Sequence, residues 1–123
     1  MKYFNSKLGA IGEEYASKYL EQNGYTVIAR NFKCKIGEID IIATEKSSKC
    51  YVFVEVKYRT TLMFGYPKEA ISLHKQNKIK KTATFYLCSK KLYDKVDVRF
   101  DCIEVLYEDT GKTPNINHIK NIF

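Results

Sequence analysis

Two β-prone segments of this chain carry acidic residues inside otherwise apolar runs. Residues 36–44 hold Asp40 between isoleucines, and residues 51–57 hold Glu55 between valines. The polar residues 45–49, which join the two segments, suit the turn of a hairpin. An unpaired carboxylate is costly within an apolar strand. This hairpin therefore constrains both the fold and the chemistry of the chain.

The apolar pattern of the hairpin indicates how its strands pair. Strands that pair symmetrically about the middle of the connection place Asp40 opposite Glu55. Because side chains alternate between the two faces of a strand, both acids then share one face. That face also holds two further facing pairs, Ile42 with Phe53 and Glu38 with Lys57. The opposite face is wholly apolar: Ile39, Ile41, Ala43, Val52, Val54 and Val56. A slip of one residue would place Asp40 opposite an inward-facing valine, so the core selects this register.

Facing carboxylates repel each other, so a cation must offset their charge. Lys57 and Arg59 can do so in part. Mg²⁺ can do so better, because it binds one or two carboxylates together with waters and phosphate oxygens. Such a metal beside the Lys57 ammonium has the parts that phosphodiester hydrolysis requires. A salt-bridged patch without metal has the same residue pattern, so the residues alone leave both interpretations open.

The rest of the chain supplies two helices and three further strands. Apolar spacing predicts helices over about residues 6–22 and 68–90, and β-prone runs lie at 25–30, 96–107 and 116–123. With the hairpin included, the order is αβββαβ followed by an edge strand. This order predicts the α/β class, as a single-domain sandwich over residues 1–123 around a central mixed sheet.

Positive charge is concentrated in one segment of the chain. The net charge is +7, and most of this excess lies within residues 68–95, which hold eight lysines and two acidic residues. A nearly neutral body with one basic segment favours a surface that binds a polyanion such as nucleic acid. A solvated, lysine-rich helix face gives the same pattern, so charge alone leaves both interpretations open.

Several other classes of protein fit the sequence poorly. The four cysteines form no Cys-x-x-Cys pair, and the chain has two histidines, so we expect neither a structural zinc site nor a disulfide framework. The sequence holds no phosphate loop, dinucleotide fingerprint or nucleophile elbow. No apolar run approaches the roughly 18 residues of a membrane span, and the first residues lack the pattern of a signal peptide. We therefore expect a cytoplasmic protein with no membrane partner.

A set of short motifs runs along nearly the whole chain. The motifs are Gly12-Glu13 with Ala16 and Tyr19-Leu20, Gly24-Tyr25, Arg30-Asn31, Gly37-Glu38-Ile39-Asp40-Ile41-Ile42-Ala43, Val52-Phe53-Val54-Glu55-Val56-Lys57 with Arg59, Gly65 with Pro67 and Ala70-Ile71, and Arg99-Phe100-Asp101. In this order the set resembles the small bacterial YraN-like proteins. These are predicted endonucleases of the PD-(D/E)XK superfamily, similar in fold to archaeal Holliday junction resolvases. The resemblance implies a restriction-endonuclease-like fold.

The same resemblance implies a catalytic site at the hairpin. Asp40 and Glu55 would be ligands of Mg²⁺, or of Mn²⁺ in its place, and the Val56 carbonyl and Glu13 would complete the ligand set. Lys57 would orient the attacking water or stabilise the phosphate in the transition state. Glu13 lies near the edge of the apolar face of the first helix, which is compatible with this role.

Contacts with nucleic acid are expected next to this site. The candidate residues are Arg59, where the chain leaves the second strand of the hairpin, and Lys75, Gln76, Lys78 and Lys81 of the second helix. The expected partner is DNA. Related resolvases act as pairs so that two strands are cut, and a homodimer is compatible with this resemblance.

Three functions are compatible with these features. The first is a metal-dependent endonuclease that hydrolyses phosphodiester bonds in DNA, branched or damaged DNA included. The second is a nucleic-acid-binding module on the same fold whose catalysis is weak or lost. The third is a small interaction protein that uses its basic helix on another surface. The combination of Asp40, Glu55 and Lys57 favours the first, because a pure binder has no need of repelling carboxylates near a phosphate path.

Overall fold

A mixed five-stranded sheet lies between two helices. The computed structural model describes residues 2–60, 71–107 and 113–123, with no side chains for residues 2–8 and 60. The elements are α1 (Lys2–Gln22), β1 (Tyr25–Lys33), β2 (Glu38–Glu45), β3 (Tyr51–Thr60), α2 (Leu73–Ser89), β4 (Val98–Tyr107) and β5 (Asn115–Ile119). The strand order is β1-β2-β3-β4-β5. The β3–β4 pair is parallel and the other pairs are antiparallel. The predicted α/β sandwich and its edge strand are confirmed.

Each helix covers one face of the sheet. Ala16 and Leu20 of α1 are fully buried against the core cluster that contains Val52, Val54 and Val56 of β3. The buried side of α2 packs against a second cluster, on the opposite face. No helix within the described ranges combines the length and the hydropathy that a membrane span requires.

A close approach between α1 and β3 fixes the position of the first helix. A Cβ atom at Gly12 would lie 3.3 Å from the Cβ of Tyr58, and one at Gly9 would lie 3.2 Å from its ring. Because these positions carry glycine, the helix can lie directly on the strand. At its other end α1 stops as predicted, with Gly24 in the left-handed region at a φ of 91°. The approach places the residue after Gly12, Glu13, beside the sheet.

The predicted register of the hairpin is confirmed over residues 41–44 and 51–54 but not beyond them. The expected facing pair of Glu38 with Lys57 is wrong, because Glu38 lies opposite Lys33 of β1 and Lys57 lies opposite Glu104 of β4. The β2–β3 pairs run from Ile41 opposite Val54 to Thr44 opposite Tyr51. The expectation that Ile39 shares the face of Ile41 is wrong, because Ile39 packs in the cluster beneath α2. The change of face coincides with the end of β2–β3 pairing at Ile41, beyond which β2 meets the β3 backbone through the Asp40 side chain.

The predicted bounds of the other elements differ from the observed ones by a few residues. Helix α2 begins at Leu73 rather than near residue 68, because the Ser72 side chain caps it by accepting a hydrogen bond from the Lys75 amide. Residues 68–70 lie outside the described ranges. Strand β5 ends at Ile119 rather than at residue 123, since Asn121 has a φ of 57°.

A buried polar network ties β5 to the middle of the sheet. The Asp101 carboxylate on β4 is fully buried and accepts two hydrogen bonds of 2.9 Å from Arg99. It also contacts Nε2 of His118 at 2.7 Å and accepts the Asn121 amide at 3.0 Å. Burial alone would raise the pKa of Asp101, but the bonds from His118 and Arg99 outweigh it and hold the pKa below its ordinary value.

Replacing Asp101 should therefore destabilise the fold strongly. Asp101→Ala leaves the Arg99 guanidinium without its buried partner, and we expect a loss of about 3–5 kcal/mol in the free energy of unfolding. Urea denaturation measures this loss. The matched control is Asp97→Ala, at an exposed position on the same segment, which should change stability by less than about 0.5 kcal/mol. Equal stabilities for the two variants would contradict the role assigned to the network.

Candidate functional site

Asp40 lies where the pairing of β2 and β3 ends. Its carboxylate oxygen Oδ2 accepts the backbone N–H of Val56 at 2.8 Å. The last β2–β3 pair is Ile41 with Val54, so the carboxylate takes the place of the next strand partner. Asp40 is therefore not simply opposite Glu55 in the ladder, as the symmetric register predicts. It is held against the β3 backbone one residue beyond Glu55.

The predicted metal ligands meet around one cavity. Glu13 of α1, Asp40 of β2, and Glu55 and Val56 of β3 all line a cavity of about 570 Å³. They come from three elements that are distant in sequence but adjacent in space. The structure therefore brings together the four residues that the sequence and the family resemblance single out.

The pKa values of two carboxylates in this cavity are raised. Burial raises the pKa of Asp40 to about 7, with Glu55 as the next contribution, and the hydrogen bond from Val56 acts in the opposite direction. Burial also raises the pKa of Glu13, together with repulsion from Glu38 and Glu55, although Asn31 and Arg30 partly offset the rise. Burial is therefore the main cause of both shifts, and repulsion between the carboxylates adds to it.

Lys75 has a role that the sequence does not predict. Its Nζ lies 2.8 Å from Oε1 of Glu55, whose side chain is 16% exposed. Burial would lower the pKa of Lys75, but the bond to Glu55 outweighs it and the pKa is raised. No local pattern could show this pair, because it depends on how the crossover helix α2 lies over β3. Lys75 is thus part of the carboxylate site as well as of the basic helix.

Lys57 shares the α2-side face of β3 with Glu55. In the parallel ladder it is the partner of Glu104 on β4. Glu104 is fully buried; its Oε1 accepts a hydrogen bond of 2.8 Å from Asn117, and its Oε2 has no hydrogen-bond partner among the described residues. Glu104 was not among the predicted site residues, although an acid that alternates with Phe100 and Cys102 in an apolar strand is the same kind of signal as Asp40.

The thiol between these acids is held neutral. Cys102 is the ladder partner of Glu55. Burial, with Glu104 as the next contribution, raises its pKa to about 11. Cys102 is therefore a small packing residue and not a nucleophile at neutral pH.

The remaining predicted contact residues lie in different surroundings. Arg59 is half-buried near the end of β3, and Lys78 and Lys81 are exposed on α2. Gln76 is turned inward, because its amide donates to the Ile71 carbonyl at 2.8 Å and braces the start of α2. Lys78 and Lys81 therefore fit a polyanion contact best.

The donors of the cavity match a hard divalent cation. The described residues hold no preassembled group of three His, Cys, Asp or Glu side chains that could bind a metal. Mg²⁺ does not require such a group, because one or two carboxylates with waters and substrate oxygens suffice. The carboxylates of Asp40, Glu55 and Glu13 are oxygen donors on an open cavity, and this set fits Mg²⁺ or Mn²⁺ rather than zinc.

The raised pKa of Asp40 predicts a pH-dependent effect of neutralising it. Ionising Asp40 disfavours the folded state, so the penalty is absent below about pH 4 and develops fully as the pH passes 7. Asp40→Asn removes the charge but keeps an oxygen for the Val56 amide. In EDTA the variant should match the parent near pH 4 and exceed its stability by about 2–4 kcal/mol at pH 8. Urea denaturation across this range checks the trend, with Asp97→Asn as the charge-matched control. A variant less stable than the parent at pH 8 would contradict it.

Sequence comparisons place the whole chain among known relatives. The model of the uncharacterised protein family UPF0102 matches residues 12–105, which include every carboxylate of the cavity. A UPF0102 protein of Clostridium botulinum strain 657 is 46% identical over 123 residues, covering all of this chain and 98% of the relative. Another, from Caldanaerobacter subterraneus subsp. tengcongensis, is 47% identical over 125 residues, with both chains fully covered. The resemblance to YraN-like proteins is thus confirmed at the level of the family, and the chain belongs to UPF0102.

Proposed function

We propose that the protein is a metal-dependent endonuclease that hydrolyses phosphodiester bonds in DNA. The observation that carries this proposal is the meeting of three carboxylates, from α1, β2 and β3, around one open cavity. Carboxylates with raised pKa values that line one cavity are characteristic of functional sites. A divalent cation and a phosphate together are the ligands that this arrangement suits.

The residues of the cavity divide into metal ligands and phosphate contacts. Asp40 and Glu55 would hold Mg²⁺ or Mn²⁺, with Glu13 and the Val56 carbonyl as further donors. When bound, the metal supplies a Lewis acid for the phosphate and lowers the pKa of a coordinated water. Val56 supports this task through its amide, which fixes the Asp40 carboxylate in place.

Positive side chains around the cavity would bind and stabilise the phosphate groups of the substrate. The ammonium of Lys57 would orient the attacking water or stabilise the charge that develops on the phosphate. Arg59 would hold a neighbouring phosphate, and the exposed Lys78 and Lys81 would contact the backbone further along. Lys75 stands beside Glu55, where its charge offsets the carboxylate until cation and substrate arrive.

One observation favours a second candidate, a DNA-binding module without catalysis. The ion pair between Lys75 and Glu55 satisfies Glu55 without any metal. In that case the cavity would be a salt-bridged patch beside a basic helix. Mg²⁺ would then neither stabilise the protein nor cause cleavage of DNA. The two candidates differ in a single measurable property, the response to a divalent cation.

The decisive variant is Asp40→Asn. Mg²⁺ should raise the thermal midpoint of the parent, by an amount equivalent to about 2.7 kcal/mol at a hundred times its dissociation constant. Labelled single-stranded, duplex and four-way-junction DNA should be cut in Mg²⁺ or Mn²⁺ and remain intact in EDTA. Asp40→Asn should lose the midpoint shift and cleave at least about a hundredfold more slowly, while it still binds DNA in EDTA.

The matched control for this experiment is a neighbouring pair on α1. Glu13→Gln should weaken the Mg²⁺ response, because Glu13 lines the cavity. Glu14→Gln should leave it unchanged, since Glu14 is exposed and pairs with Arg30 at the surface. If Mg²⁺ changes neither the thermal midpoint of the parent nor the cleavage of DNA, the proposal of a nuclease is wrong. The DNA-binding module is then the better account.

A further inference from the structure

A groove runs along α2, away from the carboxylate cavity. One side is the turn of residues 34–38 between β1 and β2, and the other side is residues 74–88 of α2; we name it the α2 groove. Two cavities follow each other along it. The first, of about 560 Å³, lies at residues 74–79, and the second, of about 420 Å³, lies at residues 80–88.

The wall of the α2 groove is held firmly against the helix. The turn is closed by a hydrogen bond of 2.9 Å from the Cys34 amide to the Gly37 carbonyl. A Cβ atom at Gly37 would lie 3.0 Å from Oγ1 of the fully buried Thr82. The turn can therefore pack on α2 only because position 37 has no side chain, and the groove is a built feature of the fold.

The end of the groove nearest the cavity is basic. Lys33, His74, Lys75 and Lys78 line it, against the single acidic residue Glu38. It leads into the carboxylate cavity, because Lys33 and Glu38 line both, and Lys75 bonds to Glu55. A polyanion lying in this part of the groove would have one end at the proposed scissile position.

The far end of the groove presents an exposed aromatic ring. Phe85 is 48% exposed, beside Ile36, which is 36% exposed. The ring of Phe85 packs against that of Phe32, with 6.4 Å between the ring centroids. Lys81 lines the same cavity as Phe85. A large exposed apolar ring next to lysines is a platform on which a nucleic-acid base can stack.

These features fit an unpaired strand rather than a duplex. Lys75 and Phe85 are ten residues apart on one helix, or about 15 Å along its axis. That distance holds about four nucleotides at the ~3.4 Å spacing of a stacked strand. In a duplex the bases are paired and stacked on each other, so their faces cannot reach the ring.

We propose that the α2 groove binds a single-stranded segment of the nucleic-acid substrate and leads it into the carboxylate cavity. One base stacks on Phe85, and Lys33, Lys78 and Lys81 contact the phosphates on the way to the cavity. The proposal rests on the proposed function for the identity of the substrate. It adds that the substrate is unpaired next to the scissile bond. Phe85 selects for an unpaired strand, because only an unpaired base can stack on its ring.

Fluorescence anisotropy in EDTA tests the proposal without cleavage. The probes are a labelled oligothymidylate of about 16 nucleotides, which forms no duplex, and a fully paired duplex of about 16 base pairs without a loop or overhang. Phe85→Ala should weaken binding of the oligothymidylate by about fivefold to a hundredfold and change duplex binding by less than about twofold. Phe85→Tyr should restore the affinity. Lys78→Gln should weaken the binding of both probes, because both carry phosphates.

The control variant is Tyr93→Ala, which removes an aromatic ring that is 57% exposed beyond the end of α2. It should leave both affinities unchanged. If Phe85→Ala melts at a lower temperature, Phe85→Leu keeps the apolar contact with Phe32 but removes the stacking ring, and it should show the same loss.

Three results would overturn the proposal. The first is equal loss, or no loss, for both probes in Phe85→Ala. The second is that the parent binds neither probe. The third is that Phe85→Ala splits a dimer in analytical ultracentrifugation with no change in affinity, which would make the patch a contact between two copies. Absence of DNA cleavage would contradict the proposed nuclease function but would not affect the binding measured in EDTA. The failure of one proposal can therefore be told from the failure of the other.

Discussion

The bond between the Asp40 carboxylate and the Val56 amide is the interaction on which the candidate site depends. It forms where β2 and β3 stop pairing, so a carboxylate replaces a backbone carbonyl as the partner of an interior strand. The substitution fixes a buried negative charge beside Glu55 at the centre of the sheet. Helix α1, drawn close to β3 at Gly12, then adds Glu13 to the same cavity.

Two buried aspartates show how differently this fold treats charge. Asp101 is surrounded by donors, with Arg99, His118 and the Asn121 amide around it, and its pKa is lowered. Asp40 receives one backbone amide, and burial together with repulsion from Glu55 raises its pKa to about 7. The first stabilises the fold, whereas the second works against it. Uncompensated charge of this kind is the property expected of a site that awaits a cation.

Local patterns in the sequence predicted much of this structure. The alternation of apolar residues predicted the central register of the hairpin, and the helical spacing indicated both helices, because these depend on neighbours along the chain. The side of the sheet taken by Ile39 could not be predicted, since it changes where β2–β3 pairing ends, and the apolar pattern does not mark that point. The Lys75–Glu55 pair and the burial of Glu104 beside Lys57 likewise depend on contacts between distant segments.

Calorimetric titration of Mg²⁺ into the protein at pH 7, in two buffers with different heats of ionisation, tests the central claim most directly. If the cavity is a cation site, the heat should saturate at one ion per chain. It should also differ between the buffers, because Asp40, with a pKa of about 7, is partly protonated and must release a proton to bind metal. Heats that neither saturate nor depend on the buffer would contradict the account.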